Sequence, residues 1–263
     1  AITSTDADGS IAIGYQAGKA ITSGAGNTAI GYQSADAMTV GRYNVAVGYD
    51  ALGAEVEGSN NTAIGWSALK SQNAGGSDGS QSATNNTAIG YNAGQGITTG
   101  TQNVIVGRGA ADTISTATKN VVIGTDAWGG VQAGQAIDGC VSIGYESMKG
   151  DGGVTTGANY TIAIGYQAGY AITSGDGSTI IGYQSGKAIT TGQYNTTMGY
   201  NALTALTAGE SNVAIGYQAA DAMDGTESNN IAIGKDAMGA VDEGSHVSAM
   251  ANSNVAIGEG ALL

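Results

Sequence analysis

Proline and phenylalanine are both missing from the 263 residues, and cysteine and histidine occur once each. A chain without proline withholds no amide from a hydrogen-bond ladder, which suits a backbone committed almost everywhere to neighbouring strands. A globular core without phenylalanine would be unusual, whereas a thin coil filled by Ile, Val and Ala needs none. A lone Cys140 forms no intrachain disulfide. A lone His246, placed in a Gly/Ser-containing insertion, builds neither a zinc site nor a Ser/His/Asp relay. Basic residues are scarce too, 8 against 21 acidic ones for a net charge of −13. Without clustered Lys/Arg there is no nucleic-acid or anionic-membrane surface, and the acidity reads as solubility of a repetitive β surface. No run is long enough to span a bilayer, and no signal-peptide pattern is present.

What is abundant is glycine, 46 residues of it, and much of it is periodic. Asn27-Thr28-Ala29-Ile30-Gly31-Tyr32 returns as Asn61-Thr62-Ala63-Ile64-Gly65-Trp66 and as Asn86-Thr87-Ala88-Ile89-Gly90-Tyr91. Degenerate copies place the glycine at 14, 31, 48, 65, 90, 107, 124, 144, 165, 182, 199, 216, 234 and 258, so that eight of the thirteen steps are identical, as from 14 to 31 and from 31 to 48. A fixed short period means one structural unit stacked on itself. Before each glycine stands a large apolar residue, and two places earlier a β-branched one, with a small residue usually between them. That alternation is a strand with Val/Ile/Thr on one face and Asn/Ala/Gly on the other. Neither face is a solvated one, which points to stacked parallel strands.

A second segment fills the rest of the period: Ile21-Thr22-Ser23-Gly24 is echoed by Ile97-Thr98-Thr99-Gly100 and Ile189-Thr190-Thr191-Gly192. Each coil is therefore expected to hold two short strands joined by glycine corners, since so short a period leaves too little chain for a helical repeat. The expected fold is all-β, a parallel β-solenoid or β-roll of about fourteen coils, in one elongated domain over 1–263 with corner insertions near 67–85 and 241–252. Ala1-Ile2-Thr3-Ser4 already resembles the second segment, so the chain is expected to be part of a longer fibre.

Little of this composition supports chemistry. Acidic residues recur at corners, as Asp36, Asp112 and Asp221 and as Asp50, Asp126 and Asp236, but these columns mix with Gln, Asn, Ala and Gly. They read as solvated carboxylates rather than a calcium repeat or a glycosidase pair. No enzymatic activity, cofactor or metal is expected. Two columns carry structure instead. Tyr15, Tyr32, Tyr49, Trp66, Tyr91, Tyr145, Tyr166, Tyr183, Tyr200 and Tyr217 each follow a repeat glycine and would stack as an aromatic ladder. Asn27, Asn44, Asn61, Asn86, Asn103, Asn120, Asn195, Asn212, Asn230 and Asn254 would form an amide ladder; Cys140 occupies that column as a small buried substitute.

NTAIGYQA-type motifs with a Thr-Thr-Gly element between them, recurring over nearly the whole chain, resemble the repeats of phage and bacterial tail-fibre-like proteins, which often carry a C-terminal intramolecular chaperone. They resemble less closely the YadA-like head of trimeric autotransporter adhesins. Both resemblances imply a homotrimer with three chains side by side, located outside the cell on a virion tail fibre or a bacterial surface. From the residues alone, a two-strand coil buries one strand face in its lumen and leaves the other as an apolar stripe that cyclic assembly would cover. The β-branched face is expected to fill the coil and the Ala/Gly face to meet two further copies of the chain, with the reverse assignment open. The leading function is a structural and adhesive fibre segment, a rigid homotrimeric shaft or head contributing to binding of a cell-surface glycan or protein receptor. The alternatives are an autotransporter adhesin head, an ice-binding β-solenoid and a polysaccharide-degrading tailspike.

Overall fold

The computed structural model describes residues 8–73, 82–129, 137–150, 157–239 and 252–262. His246, residues 74–81 of the first corner insertion and 241–251 of the second lie outside the described residues. The backbone clusters into two compact units, Ala1–Ala136 and Ile137–Leu263. The first holds β1 (Ile11–Ile13), β2 (Thr28–Ile30), β3 (Val45–Val47), β4 (Gly58–Ser59), β5 (Thr62–Ile64), β6 (Ser82–Ala83), β7 (Thr87–Ile89), β8 (Val104–Val106) and β9 (Val121–Ile123). The second holds β10 (Val141–Ile143), β11 (Ile162–Ile164), β12 (Thr179–Ile181), β13 (Thr196–Met198), β14 (Val213–Ile215), β15 (Ile231–Ile233) and β16 (Val255–Ile257).

In the first unit β1, β2, β3, β5, β7, β8 and β9 pair in parallel in chain order. In the second, β10 to β16 do the same. Every pairing joins equivalent columns, as in Thr28↔Val45, Ala29↔Ala46 and Ile30↔Val47. Insertions therefore leave register untouched: Thr62 still pairs with Thr87 across the longest step of the chain. This is a parallel β-solenoid. Its fourteen main strands close six turns in each unit, twelve in all, where about fourteen coils were expected.

Two expectations are corrected. Among the described residues the second segment is not a strand, except where the two-residue β4 and β6 pair beside the first insertion. Its coil-to-coil bonding converges on single carbonyls: the amides of Thr22 and Ser23 both donate to Thr39 O, and those of Thr39 and Val40 both to Val56 O. A chain that directs two donors at one acceptor bends there and cannot extend a ladder. The second correction concerns the faces. Ala29, Ala46, Ala63 and Ala88, the middle residues of their strands, are fully buried, while the flanking β-branched residues are half-exposed or exposed. Asn/Ala/Gly thus line the lumen, and Val/Ile/Thr look outward.

The lumen is filled from the corners. Ala17, Ser34, Ala51 and their equivalents are buried behind the strand, and Ile21, Ile97, Ile172, Ile189 and Leu206 project in from the second segment. Sizes compensate within several coils, though Leu203 and Leu206 are both large and both buried in theirs. Where the fourth residue after the repeat glycine is Gly18, Gly94, Gly169 or Gly186, an added Cβ would meet the δ-carbon of Ile21, Ile97, Ile172 or Ile189. Where that position holds Leu52 or Leu69, the second-segment position becomes polar, Glu55 or Gln72. Glu55 is completely buried, its Oε1 accepting the amides of Val56, Glu57 and Gly58 at 3.0, 3.1 and 2.6 Å. Converging backbone donors of this kind satisfy a carboxylate oxygen away from water.

The corner itself is a run of tight turns. Ala17 N donates to Gly14 O and Lys19 N to Gln16 O, with Gln16 at φ 57° and Gly18 at φ 57°. A left-handed third residue is what a type II turn requires. The repeat glycine is needed for a second reason. It lies at φ 122–146° in every coil, and a Cβ on Gly14, Gly31, Gly48, Gly65 or Gly90 would fall on the carbonyl oxygen of the next repeat glycine. The period is anchored on glycine because two backbones pass there with no room for a side chain.

Candidate functional site

The residues singled out in the sequence divide between inside and outside. Asn27, Asn61 and Asn86 are buried with the repeat glycines Gly31, Gly65 and Gly90 behind them in the chain, while Ile30, Ile64 and Ile89 and the rings of Tyr32, Trp66 and Tyr91 face outward.

Inside, the asparagines are linked directly. Asn44 donates its backbone N–H and its Nδ2 to Asn27 Oδ1 at 2.9 and 3.1 Å, and its Nδ2 also reaches Gly58 O at 2.9 Å. Asn61 repeats the pattern onto Asn44, and Asn103 onto Asn86. At the long step between Asn61 and Asn86, Gln72 is inserted, donating to Asn61 Oδ1 at 3.2 Å and accepting from Asn86 Nδ2 at 3.1 Å. In the second unit Asn195, Asn212, Asn230 and Asn254 are joined the same way. The preceding coils use Thr161, whose hydroxyl donates to Gly175 O at 2.9 Å, and Cys140, whose Sγ lies 2.9 Å from Ala158 O. Burial pushes the Cys140 thiol up to about 12, so it is held as an unreactive thiol.

Outside, each unit presents two columns of seven side chains, the first and last residues of its main strands. They are all Ile, Val, Thr or Met, with no charge among them. Ile64 and Ile89 remain 38% exposed although stacked in mid-array. With a strand spacing of ~4.8 Å, seven rungs make an apolar strip about 30 Å long and about 12 Å wide in each unit.

Just past the glycine bend stand the aromatic residues. In the first unit Tyr15, Tyr32, Tyr49, Trp66 and Tyr91 stack with centroid separations of 5.1, 5.2, 4.1 and 6.5 Å. In the second, Tyr145, Tyr166, Tyr183, Tyr200 and Tyr217 stack at 5.3, 5.0, 4.9 and 5.3 Å with planes within 12° of parallel. Their exposure runs from 37% to 61%. Because each inner ring is sandwiched, its faces are covered and its edge meets water. A saccharide ring could not lie flat on them, so the column is no stacking platform for sugars.

Beside the ladder runs a polar rim. Gln33 donates to Gln16, Gln167 to Glu146, and Gln184 to Gln167 at 2.8 Å. Lys70 pairs with Asp50 at 2.8 Å, and Arg108 with Asp126. The hydrogen bonds from Lys149 and Gln167 hold Glu146 below the usual carboxylate range. Partial burial, then the Asp50 charge, raises Asp36; Asp221 is raised chiefly by burial, with Asp236 adding to it. Among the described residues no three His, Cys, Asp or Glu side chains come together as a metal ion would require. A groove of about 330 Å³ in the second unit is lined by Tyr170, Ala171, Lys187, Ala188, Thr190 and Thr204. It contains no carboxylate, so the acid pair of glycoside cleavage is not found there. No described helix is long and apolar enough to cross a membrane.

The class of protein these features define is a parallel β-solenoid with a polar amide spine inside and an apolar, aromatic-edged face outside. Comparison with protein-family models, curated proteins and solved structures gave no match to this chain.

Proposed function

We propose that the chain is a segment of a homotrimeric structural and adhesive fibre, acting outside the cell as a rigid shaft or head for receptor attachment. The observation that carries this reading is the outward strip of Ile, Val, Thr and Met. A contiguous apolar area on the order of 350 Å² per unit, from the length and width of the strip, is in the range of the largest patch on an ordinary monomer, which is often a functional one. It repeats in the second unit and is free of charge in a chain that carries −13 elsewhere. Identical chains meeting about a rotation axis cover such strips without an open end, and three copies is the number the sequence resemblance implies.

The ice-binding alternative loses support from the threonines that suggested it. Thr22, Thr39, Thr98, Thr173, Thr190 and Thr207 each donate their hydroxyl to a backbone carbonyl one coil on, at 3.0–3.2 Å, which is a structural use of the proton. Native mass spectrometry tests the fibre reading. The wild-type chain is expected at three times its own mass of 25.7 kDa, and the double variant Ile164→Lys/Ile181→Lys at the monomer mass with an unchanged circular dichroism spectrum. A wild-type monomer would refute it.

A further inference from the structure

We infer that the tyrosine ladder is a site of oxidative modification, in which dityrosine bonds join successive coils of one chain. This goes beyond the fibre reading and does not rest on it. Tyrosines in consecutive coils are held ring over ring: Tyr166–Tyr183 at 5.0 Å and 9°, Tyr183–Tyr200 at 4.9 Å and 5°. Parallel strand pairing fixes the Cβ atoms one rung apart, while the hydroxyl-bearing edges reach solvent and can tilt about χ1 and χ2. Stacked rings also share an electron hole, so the site of oxidation is the stack rather than an isolated phenol.

The chemistry balances with an oxidant of the one-electron class, such as a peroxidase intermediate. Each of two phenols loses one electron to the oxidant and its hydroxyl proton to solvent or a neighbouring base. The two radicals couple ortho carbon to ortho carbon. The ring hydrogens displaced at those carbons move to the oxygens as the rings regain aromaticity. One carbon–carbon bond forms, and two electrons and two protons leave in total. At Tyr145 a base is already in place. The Glu146 carboxylate lies beside the phenol and is itself kept ionised by Lys149 and Gln167.

The chain contains its own control. Tyr43, Tyr160 and Tyr194 are 64%, 72% and 61% exposed, more open than most ladder rings, yet none stacks on another ring among the described residues. The ring of each lies instead against the glycine of the preceding coil, Gly26, Gly139 or Gly177. If exposure governed the reaction, these three would react first. If stacking governs it, the ladder does.

The test is illumination of the full chain with a ruthenium tris-bipyridyl complex and persulfate, followed by peptide mapping. Dityrosine fluorescence is expected with the chain mass lowered by two hydrogens per bond and no multimers required. Mapped links are expected at Tyr166–Tyr183 and Tyr183–Tyr200, at least tenfold over any involving Tyr43, Tyr160 or Tyr194. Tyr183→Phe should abolish both links and leave Tyr15–Tyr32 intact. The same links in Ile164→Lys/Ile181→Lys would show that they form irrespective of assembly. Links spread in proportion to exposure, or found only between chains, would overturn the proposal.

Discussion

Truncating one rung of the internal amide spine tests whether it stabilises the coil or merely occupies it. Asn44 is 1% exposed. Asn44→Ala removes two donations to oxygen, at Asn27 Oδ1 and Gly58 O, and two acceptances, from the backbone N–H and the Nδ2 of Asn61 at 2.9 and 3.0 Å. Gly58 O and the Asn61 N–H are then left in a space closed to water. At about 2 kcal/mol for each stranded group, with the remaining bonds adding less than about 1 kcal/mol each, the loss comes to about 4 kcal/mol. Both tryptophans, Trp66 and Trp128, lie in the first unit, so their fluorescence during urea unfolding reports on that unit. Gln33→Ala is the control: it cuts a bond of the same kind to Gln16, but one that is only partly buried, and should cost under about 1 kcal/mol. Equal losses for the two variants, or a loss below about 1.5 kcal/mol for Asn44→Ala, would refute the argument. Asn44→Asp sharpens it. Its carboxylate would face Asn27 Oδ1 and Gly58 O, two acceptors, so its folded pKa would rise above the unfolded value. The native state then binds the extra proton, and the variant's deficit should grow as pH rises above about 4 and shrink on acidification.

Two further outcomes follow from the backbone and the buried thiol. Gly48→Ala, at φ 137° with its Cβ directed onto Gly65 O, should cost more than about 3 kcal/mol. Gly9→Ala, at φ 74° with open space around it, should cost about 1 kcal/mol. Comparable urea midpoints would refute the close-approach explanation. Cys140, held at about 12, has a thiolate fraction of about 10⁻⁴ at pH 8, so maleimide labelling should be more than a hundredfold slower in native protein than in urea. A native rate within threefold of the unfolded one would contradict the burial.

Which parts of this fold could be read beforehand depends on what each residue reports. Register was legible because the pairing Thr28↔Val45↔Thr62 simply follows the columns. The strand's facing was not. Ile30 and Ala29 are both apolar, and Asn27 looks like a surface residue until its amide is seen bonded to its own coil and the next. The lumen already holds Ile21 and Met38 from the second segment, so the inward strand position is usually alanine, with Ile105, Val122 and Ile180 the larger residues that share it. The second strand failed for a different reason: a Thr-Thr pair has the propensity but not the geometry once both amides share one carbonyl. Least legible were the left-handed aliphatic residues. Leu52, Leu69, Leu203 and Trp128 sit at φ 50–53°, where nothing in a leucine or tryptophan announces it.

Those left-handed residues have a consequence for how the protein comes to exist. A single turn such as Tyr43, Asp50 and Leu52 carries three non-glycine residues at φ 52–58°, at roughly 1 kcal/mol or more apiece. An isolated turn therefore lies uphill and has no means of offsetting that from within one period of the chain. Only a preceding turn offers the waiting carbonyls and amides that stabilise the shape. Folding within each unit is thus a templated growth with a steep first step and shallow later ones, like crystal growth from a seed. A costly first pair of turns sets how fast molecules fold, and afterwards each unit lengthens from an existing face.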